Sequence, residues 1–412
     1  MFTNNRILAS FLVWDKRLLG SDIALHVAVR QNKKIFDLVI QDGGSVKTVG
    51  EIMALTVEYP SRDHAAFPGP LTRAMIYHVE ETGSAAVVFI CNHSIMDASS
   101  AQIFREDLDS ALGGTASLPE HIDYKPYADS YYNLRTSVEA NAAAKWHIER
   151  LQGLESHRKG LIQPFPISKN TFEASLKAGP REEVKAAFIP PGLDKLRKEH
   201  SHITATALTK TAFALVLVHH TGHSHAVFQN FEAARKSFPF LPPSFEAMGE
   251  FGATDVAGPT MQVVVNLIHI KPEETVLSLL NRVQEEQALQ VKHASAPFGQ
   301  ILKGLGPAAD LLIDIVEHQA FNWLPGMGNY LKNPYANMQA VKMNVTPSIG
   351  LGFRGGVGGP DSNLVIFQSV GLSVDIPTLK RFTMQVEKIT RWLMHSDNWE
   401  AGVGEFVAIL ED

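Results

Sequence analysis

Apolar and polar positions alternate most cleanly in LTRAMIYHVE (71–80), with the period of two that a half-buried strand requires. Glu81 to Ser84 supplies a turn, and AAVVFICN (85–92) returns as a buried strand. Residues 7–14 and 23–30 are apolar runs rich in branched side chains, bounded by Gly20-Ser21 and Gln31-Asn32, and read as strands. Past residue 92, Asp97 or Ser99 caps a helix running to about Leu112 and ended by Gly113-Gly114. A second helix covers about 137–153. Residues 154–183 mix Gly, Pro, Ser, Lys and Arg without a period, which makes them the linker candidate.

The rhythm resumes with a helix after Pro190-Pro191-Gly192 and a nearly all-apolar helix at about 204–219. Strands follow near 225–230 and at TMQVVVNLIHI (260–270), the latter opened by Gly258-Pro259. TVLSLLNRVQEEQALQVKHA (275–294) has the helical period. Strands are expected at about 311–322, 338–346 and 363–369, and helices at about 377–394 and 400–410. Each half therefore mixes strands and helices, an α+β arrangement. The expected division is one lobe over 1–155, a linker over 156–183 and a second lobe over 184–412, with a cleft between lobes as the usual ligand site.

A chain of 412 residues exceeds one ordinary core, which fits two lobes. The formal charge of −6, from 37 basic and 43 acidic residues without a long basic run, gives nucleic-acid binding no electrostatic source. Apolar runs such as TAFALVLV (211–218) are too short to span a bilayer, so no membrane partner is expected. The N-terminus lacks a signal-peptide pattern. Cys91 is the only cysteine, which excludes an intrachain disulfide and fits a cytoplasmic protein.

Candidate chemistry concentrates in VVFICNHSIMDASSAQIF (87–104), where an apolar strand ends in Asn92-His93. If the strand runs on, Cys91 and His93 share a face. An imidazole with an ordinary pKa of about 6.5 suits proton abstraction from an attacking amine or hydroxyl. Asp97 either orients His93 or fixes the turn by pairing with a remote cation. Cys91 reads most simply as a small buried apolar residue, and no second histidine or acid lies nearby to make it a thiolate.

The run from Asn92 to Ser100 resembles the HxxxD active-site motif of nonribosomal peptide synthetase condensation domains. With the following serine it is most similar to the terminal, cyclising condensation-like domains of fungal synthetases. YADSYY (127–132), VFQNFEAARKSFPF (227–240), AGPTMQVVVNL (257–267) and HASAPFGQIL (293–302) resemble further family segments, in the family's order. The resemblance implies two chloramphenicol-acetyltransferase-like lobes in a V-shaped pseudo-dimer, with His93 in a tunnel between them. It implies acyl transfer from a thioester to an amine or alcohol, in fungal-type secondary metabolism, with His93 as the base and no covalent intermediate. The donor would be carried on the phosphopantetheine arm of a carrier protein, or on CoA, and the protein itself would bind no cofactor. Asp97 would pair with Arg235, and the backbone N–H near Ala98 would meet the oxyanion, with Asn92, Ser100 and Trp323 as further candidates for the pocket.

There are departures. Asn92 stands where the family has a second histidine, and Ala98 where it has glycine. RILASF (6–11) resembles the end of the family's second motif, so the N-terminal lobe reads as shortened, and self-association through it is expected. Two alternatives remain: a stand-alone acyltransferase using acyl-CoA, and a non-catalytic carrier-docking relative. HHTGHSH (219–225), with His200 and His202, lacks a carboxylate or cysteine to complete a metal set and reads as a turn, so no metal is expected. FRGGVGGPDS (353–362) reads as a hairpin loop, with a flap over the tunnel as the alternative. Trp323, in FNWLPGMGNY (321–330), either packs in the core or lines an acyl cavity.

Overall fold

The computed structural model describes residues 4–14, 24–30, 32–58, 69–162, 184–235, 238–240, 253–324, 335–339, 349–358, 364–371 and 374–411. Contacts divide the chain into two compact units. The first comprises Met1–Asn133, Arg235–Met261 and Tyr335–Thr346, and the second comprises the rest.

The first unit opens with a short 3-10 turn, Arg6–Ala9, and the antiparallel pair β1 (Ser10–Trp14) and β2 (Ala24–Ala28). Asn4 and Asn5 donate to the buried Asp107 carboxylate at 2.8 and 2.7 Å, which ties this start to the core of the unit. Next come α1 (Lys33–Val39), β3 (Ile40–Val46) and α2 (Val49–Glu58), in a stretch where sequence periodicity assigns no element. Then β4 (Thr72–Val79) and β5 (Ser84–Cys91) form the expected hairpin, with β3 parallel to β4 on its other edge. Met75, Tyr77 and Val79 are buried on alternate positions of β4, as the sequence suggests, whereas Thr72 and Ala74 at its start are buried out of that phase. Helix α3 (Ala98–Leu112), a two-residue strand β6 (Ile122–Asp123) and α4 (Tyr124–Leu134) complete this segment.

The second unit begins with α5 (Val138–Arg150), capped by the Ser137 hydroxyl, and a 3-10 helix at Leu154–Gly160. That 3-10 helix and Leu161–Ile162 show that the expected linker starts as packed structure: Leu154, Gly160 and Leu161 are buried. Residues 163–183 lie outside the described residues. After β7 (Val184–Phe188) and α6 (Leu193–Glu199) comes α7 (Ala205–Thr221), buried continuously from Ala207 to Leu217. A helix apolar all round must lie inside a core, which explains its position. Gly222, at φ 63°, ends α7 and turns the chain into β8 (His225–Glu232).

From Arg235 the chain returns to the first unit, where β9 (Val256–Ala257) pairs in parallel with β6. It then re-enters the second unit with β10 (Gln262–His269), α8 (Val276–Lys292), α9 (Phe298–Leu305) and α10 (Ala309–His318). After β11 (Gln319–Trp323), β12 (Leu351–Gly358) and β13 (Leu364–Val370) come α11 (Ile376–Met394) and α12 (Phe406–Glu411). The sheet order is β10-β8-β11-β12-β13-β7, with β8–β11 and β11–β12 parallel and the remaining pairs antiparallel. Phe213 on α7 meets Phe228, Phe353 and Phe382 in the core of this unit.

The strand expected at 311–322 is a helix over most of its length. Leu311, Leu312 and Ile315 bury one helical face, and only Gln319 onward extends. The contact-defined division also differs from a single cut near residue 155. Helix α5 packs on α9 within the second unit, while residues 235–261 rejoin the first. Of the strand expected at 338–346, residues 340–346 lie outside the described residues; of the stretch read as a loop at 353–362, residues 353–358 are strand, paired with β13, and 359–362 lie outside the described residues.

Candidate active site

The site is built at the end of β5. The Asn92 N–H donates to the Leu71 carbonyl at 2.8 Å, the last rung of the hairpin. The Asn92 side-chain oxygen then accepts from the Ser94 N–H at 3.0 Å, and the Ile95 N–H donates to the Asn92 carbonyl at 3.2 Å. These bonds close a turn whose far side is nailed down by Ile95, fully buried beside Leu8, Leu71 and Phe104. His93 sits at the top of this turn, exposed, and no described residue hydrogen-bonds its ring. The strand ends at Cys91, so the face shared by Cys91 and His93 in an extended chain does not carry over.

Asp97 closes the other side of the loop as the N-cap of α3. Its carboxylate accepts from the Ser100 N–H at 2.8 Å, while the Ser100 hydroxyl accepts from the Asp97 N–H at 2.9 Å. This capping box satisfies two donors that a helix start leaves open. The Arg235 guanidinium donates to both Asp97 oxygens at 3.0 and 3.2 Å, and the Thr260 N–H adds a contact of 2.9 Å. Arg235 in turn donates to the Val256 and Gly258 carbonyls at 2.9 and 2.7 Å. Both charged side chains are buried. Burial pushes the Asp97 carboxyl up, but Arg235, the Ser100 and Thr260 amides and the Ser100 hydroxyl outweigh it, holding the pKa below the usual carboxylate range. Asp97 thus serves the cation and the helix start, and no described hydrogen bond joins it to His93.

The remaining candidates take different places. Ser100 is buried with its hydroxyl bonded to Asp97, so it supports the loop. Asn92 makes the turn. Ala98 is exposed at the first position of α3, where a backbone N–H has no intrahelical acceptor. Trp323 belongs to the second unit, packed against its core, with Gly355 leaving room for the ring: a Cβ there would lie 2.8 Å from it. Cys91 hydrogen-bonds with Thr72, yet burial pushes its thiol up to about 12.

Two contributors escaped sequence reasoning. Thr260 acts through its backbone N–H, which no residue type reveals. Gly258 is required because a Cβ there would sit 2.3 Å from the Tyr124 ring, and its carbonyl is then free to receive Arg235. The only signal for either was the Gly258-Pro259-Thr260 run itself. His200 and His202 lie apart from the later histidines, but the fold brings His157 to His223 and His225, with ligand atoms all within 4.8 Å of one another.

Residues 39–345 match the family model described as Condensation domain. Among curated relatives, the nonribosomal peptide synthetase lenA of Aspergillus lentulus is 22% identical over 291 residues, 68% of this chain and 6% of that synthetase. The nonribosomal peptide synthetase tpzA of Aspergillus terreus is 25% identical over 289 residues, 68% of this chain and 10% of that protein. The chain therefore spans a tenth or less of the length of these relatives. The fold is similar to the first condensation domain of the calcium-dependent antibiotic synthetase, at a TM-score of 0.62 and 13% identity over 98% of this chain and 87% of that one. It is also similar to the X-domain from teicoplanin biosynthesis, at 0.69 and 13% over 96% and 86%. The epimerization domain of tyrocidine synthetase B matches at 0.66 and 14% over 95% and 86%.

Proposed function

The chain belongs to the condensation domain family, and from that premise we propose that it moves an acyl group from a thioester to an amine or hydroxyl, with His93 as general base. The observation that carries this reading is the exposed His93 ring on a turn held from both sides, by buried Ile95 and by the Asp97–Arg235 pair. A base must be rigidly placed yet reachable, and this loop meets both requirements.

The steps use residues already described. As the acceptor nitrogen or oxygen attacks the thioester carbonyl, its proton passes to the His93 imidazole. The oxyanion of the tetrahedral intermediate meets the backbone N–H at Ala98, where the positive end of α3 also favours negative charge. Collapse breaks the carbon–sulfur bond and releases an amide or ester. The departing thiolate recovers the proton from His93. Cys91, a half-buried thiol held neutral, takes no part, so the acyl group goes directly from donor to acceptor.

The fungal synthetase relatives support a donor held on a carrier protein's phosphopantetheine arm and a place in nonribosomal peptide synthesis, with cyclisation as one form of the same attack. Folds of this kind also carry an epimerization domain, so the fold does not select the reaction. The test supplies one acyl chain either on a carrier protein or on CoA, with amine and alcohol acceptors, to wild type and to His93→Ala. Carrier-dependent product from wild type alone is the expected result. Product from CoA alone moves the reading to a stand-alone acyltransferase, and equal product from both proteins removes it.

A further inference from the structure

We infer that His157, His223 and His225 form a binding site for one divalent transition-metal ion of the zinc class, separate from the His93 chemistry. Three elements of the second unit deliver the three imidazoles. His157 lies on the 3-10 helix Leu154–Gly160, His223 follows the α7 terminator Gly222, and His225 opens β8. The 3-10 helix lies close on β8, since a Cβ on Gly160 would come within 2.9 Å of Val227 and 3.1 Å of the His225 carbonyl. Packing therefore sets the spacing of the rings.

The geometry fits a ligand set. The three donor atoms lie within 4.8 Å of one another, and His157 Nδ1 is 2.9 Å from His223 Nε2. Zinc–nitrogen bonds of about 2.0–2.1 Å place tetrahedral ligands about 3.3 Å apart, a change that small side-chain rotations supply. The Ser224 hydroxyl lies 3.0 Å from His225 Nδ1; with the proton on Nδ1 donated to that hydroxyl, Nε2 keeps its lone pair for an ion. His269, the cross-strand partner of His225, stacks on it at 4.2 Å and 6° and fixes the ring plane. Hydrogen bonding from a second shell of this kind sets tautomer and orientation in histidine sites.

All three rings are half-buried, so an ion has a way in and a fourth position can be filled by water. Imidazole donors suit zinc, copper, nickel and cobalt, whereas calcium and magnesium seek oxygen. The ion would tie the segment after α5 to the α7–β8 turn.

The test uses full-length, tag-free protein stripped with chelator and titrated with Co2+ and Zn2+. Visible absorption, metal stoichiometry and thermal midpoint are followed together. The expected result is one equivalent bound, a tetrahedral Co2+ spectrum displaced by Zn2+, and a midpoint raised by several degrees. His157→Gln and the double variant His223→Gln/His225→Gln are expected to weaken binding about tenfold or more, with circular dichroism verifying the fold. His219→Gln/His220→Gln at the end of α7 serves as the control and is expected to bind as wild type. Absence of saturable binding or of a tetrahedral spectrum in wild type overturns the proposal without any variant. Binding that survives the double variant, or that falls only in the control, overturns it equally.

Discussion

Cys91 and His93 stand two residues apart, and their surroundings separate their chemistry. Burial holds the Cys91 thiol neutral up to about pH 12, so it is neither nucleophile nor rival base. Iodoacetamide at pH 8 should label Cys91 only after unfolding, as read by intact mass, and Cys91→Ser should keep wild-type turnover. Asp97 carries a different prediction. Its folded pKa lies below the unfolded value of about 3.9, so the unfolded chain binds more protons in that range and stability rises with pH there. The stabilisation is complete above about pH 5 and is lost as pH falls through the folded pKa. Asp97→Asn leaves Arg235 buried against a neutral partner and should cost about 3–5 kcal/mol at pH 7. Urea midpoints of the two proteins should converge as the pH drops below 4.

Helix α7 shows what burial demands of a charged residue. Lys210 is buried at its middle, and its amine donates to Asn230, Asn266, Gln287 and Gln290. Burial lowers its pKa to about 8. An unfolded lysine titrates near 10.4, so between about pH 8 and 10 the unfolded state binds more protons and stability rises with pH. Lys210→Met should erase that rise and, with the amide oxygens facing a thioether, cost about 1–3 kcal/mol. Denaturant midpoints across that range measure both effects. The Lys210 cage was illegible in the sequence because its partners sit on β8, β10 and α8, brought together only by the sheet. The β4–β5 hairpin and the start of α3 were legible because alternation and capping are local. Residues 32–58 gave no clear period, and 311–322 misled because a continuous apolar run suits a buried helix as well as a strand.

On the scale of the molecule, the chain leaves the first unit after Asn133 and returns at Arg235. The arginine that meets Asp97 therefore comes from 138 residues away in sequence yet belongs to the same unit. Ala234, just before it, adopts φ 48°, a left-handed turn that an alanine holds only under constraint. The Asp97–Arg235 pair could be placed from a resemblance between motifs, whereas spacing alone offered no partner. The His157 cluster shared that difficulty, since 66 residues separate His157 from His223. The most direct measurement is the single-turnover rate of amide or ester formation from a carrier-bound acyl thioester, compared between wild type and folded His93→Ala. The variant should be slower by about 10²–10⁴-fold, with no acyl group found on either protein by intact mass. An unchanged rate, or an acyl adduct on the wild-type chain, would contradict direct transfer assisted by His93.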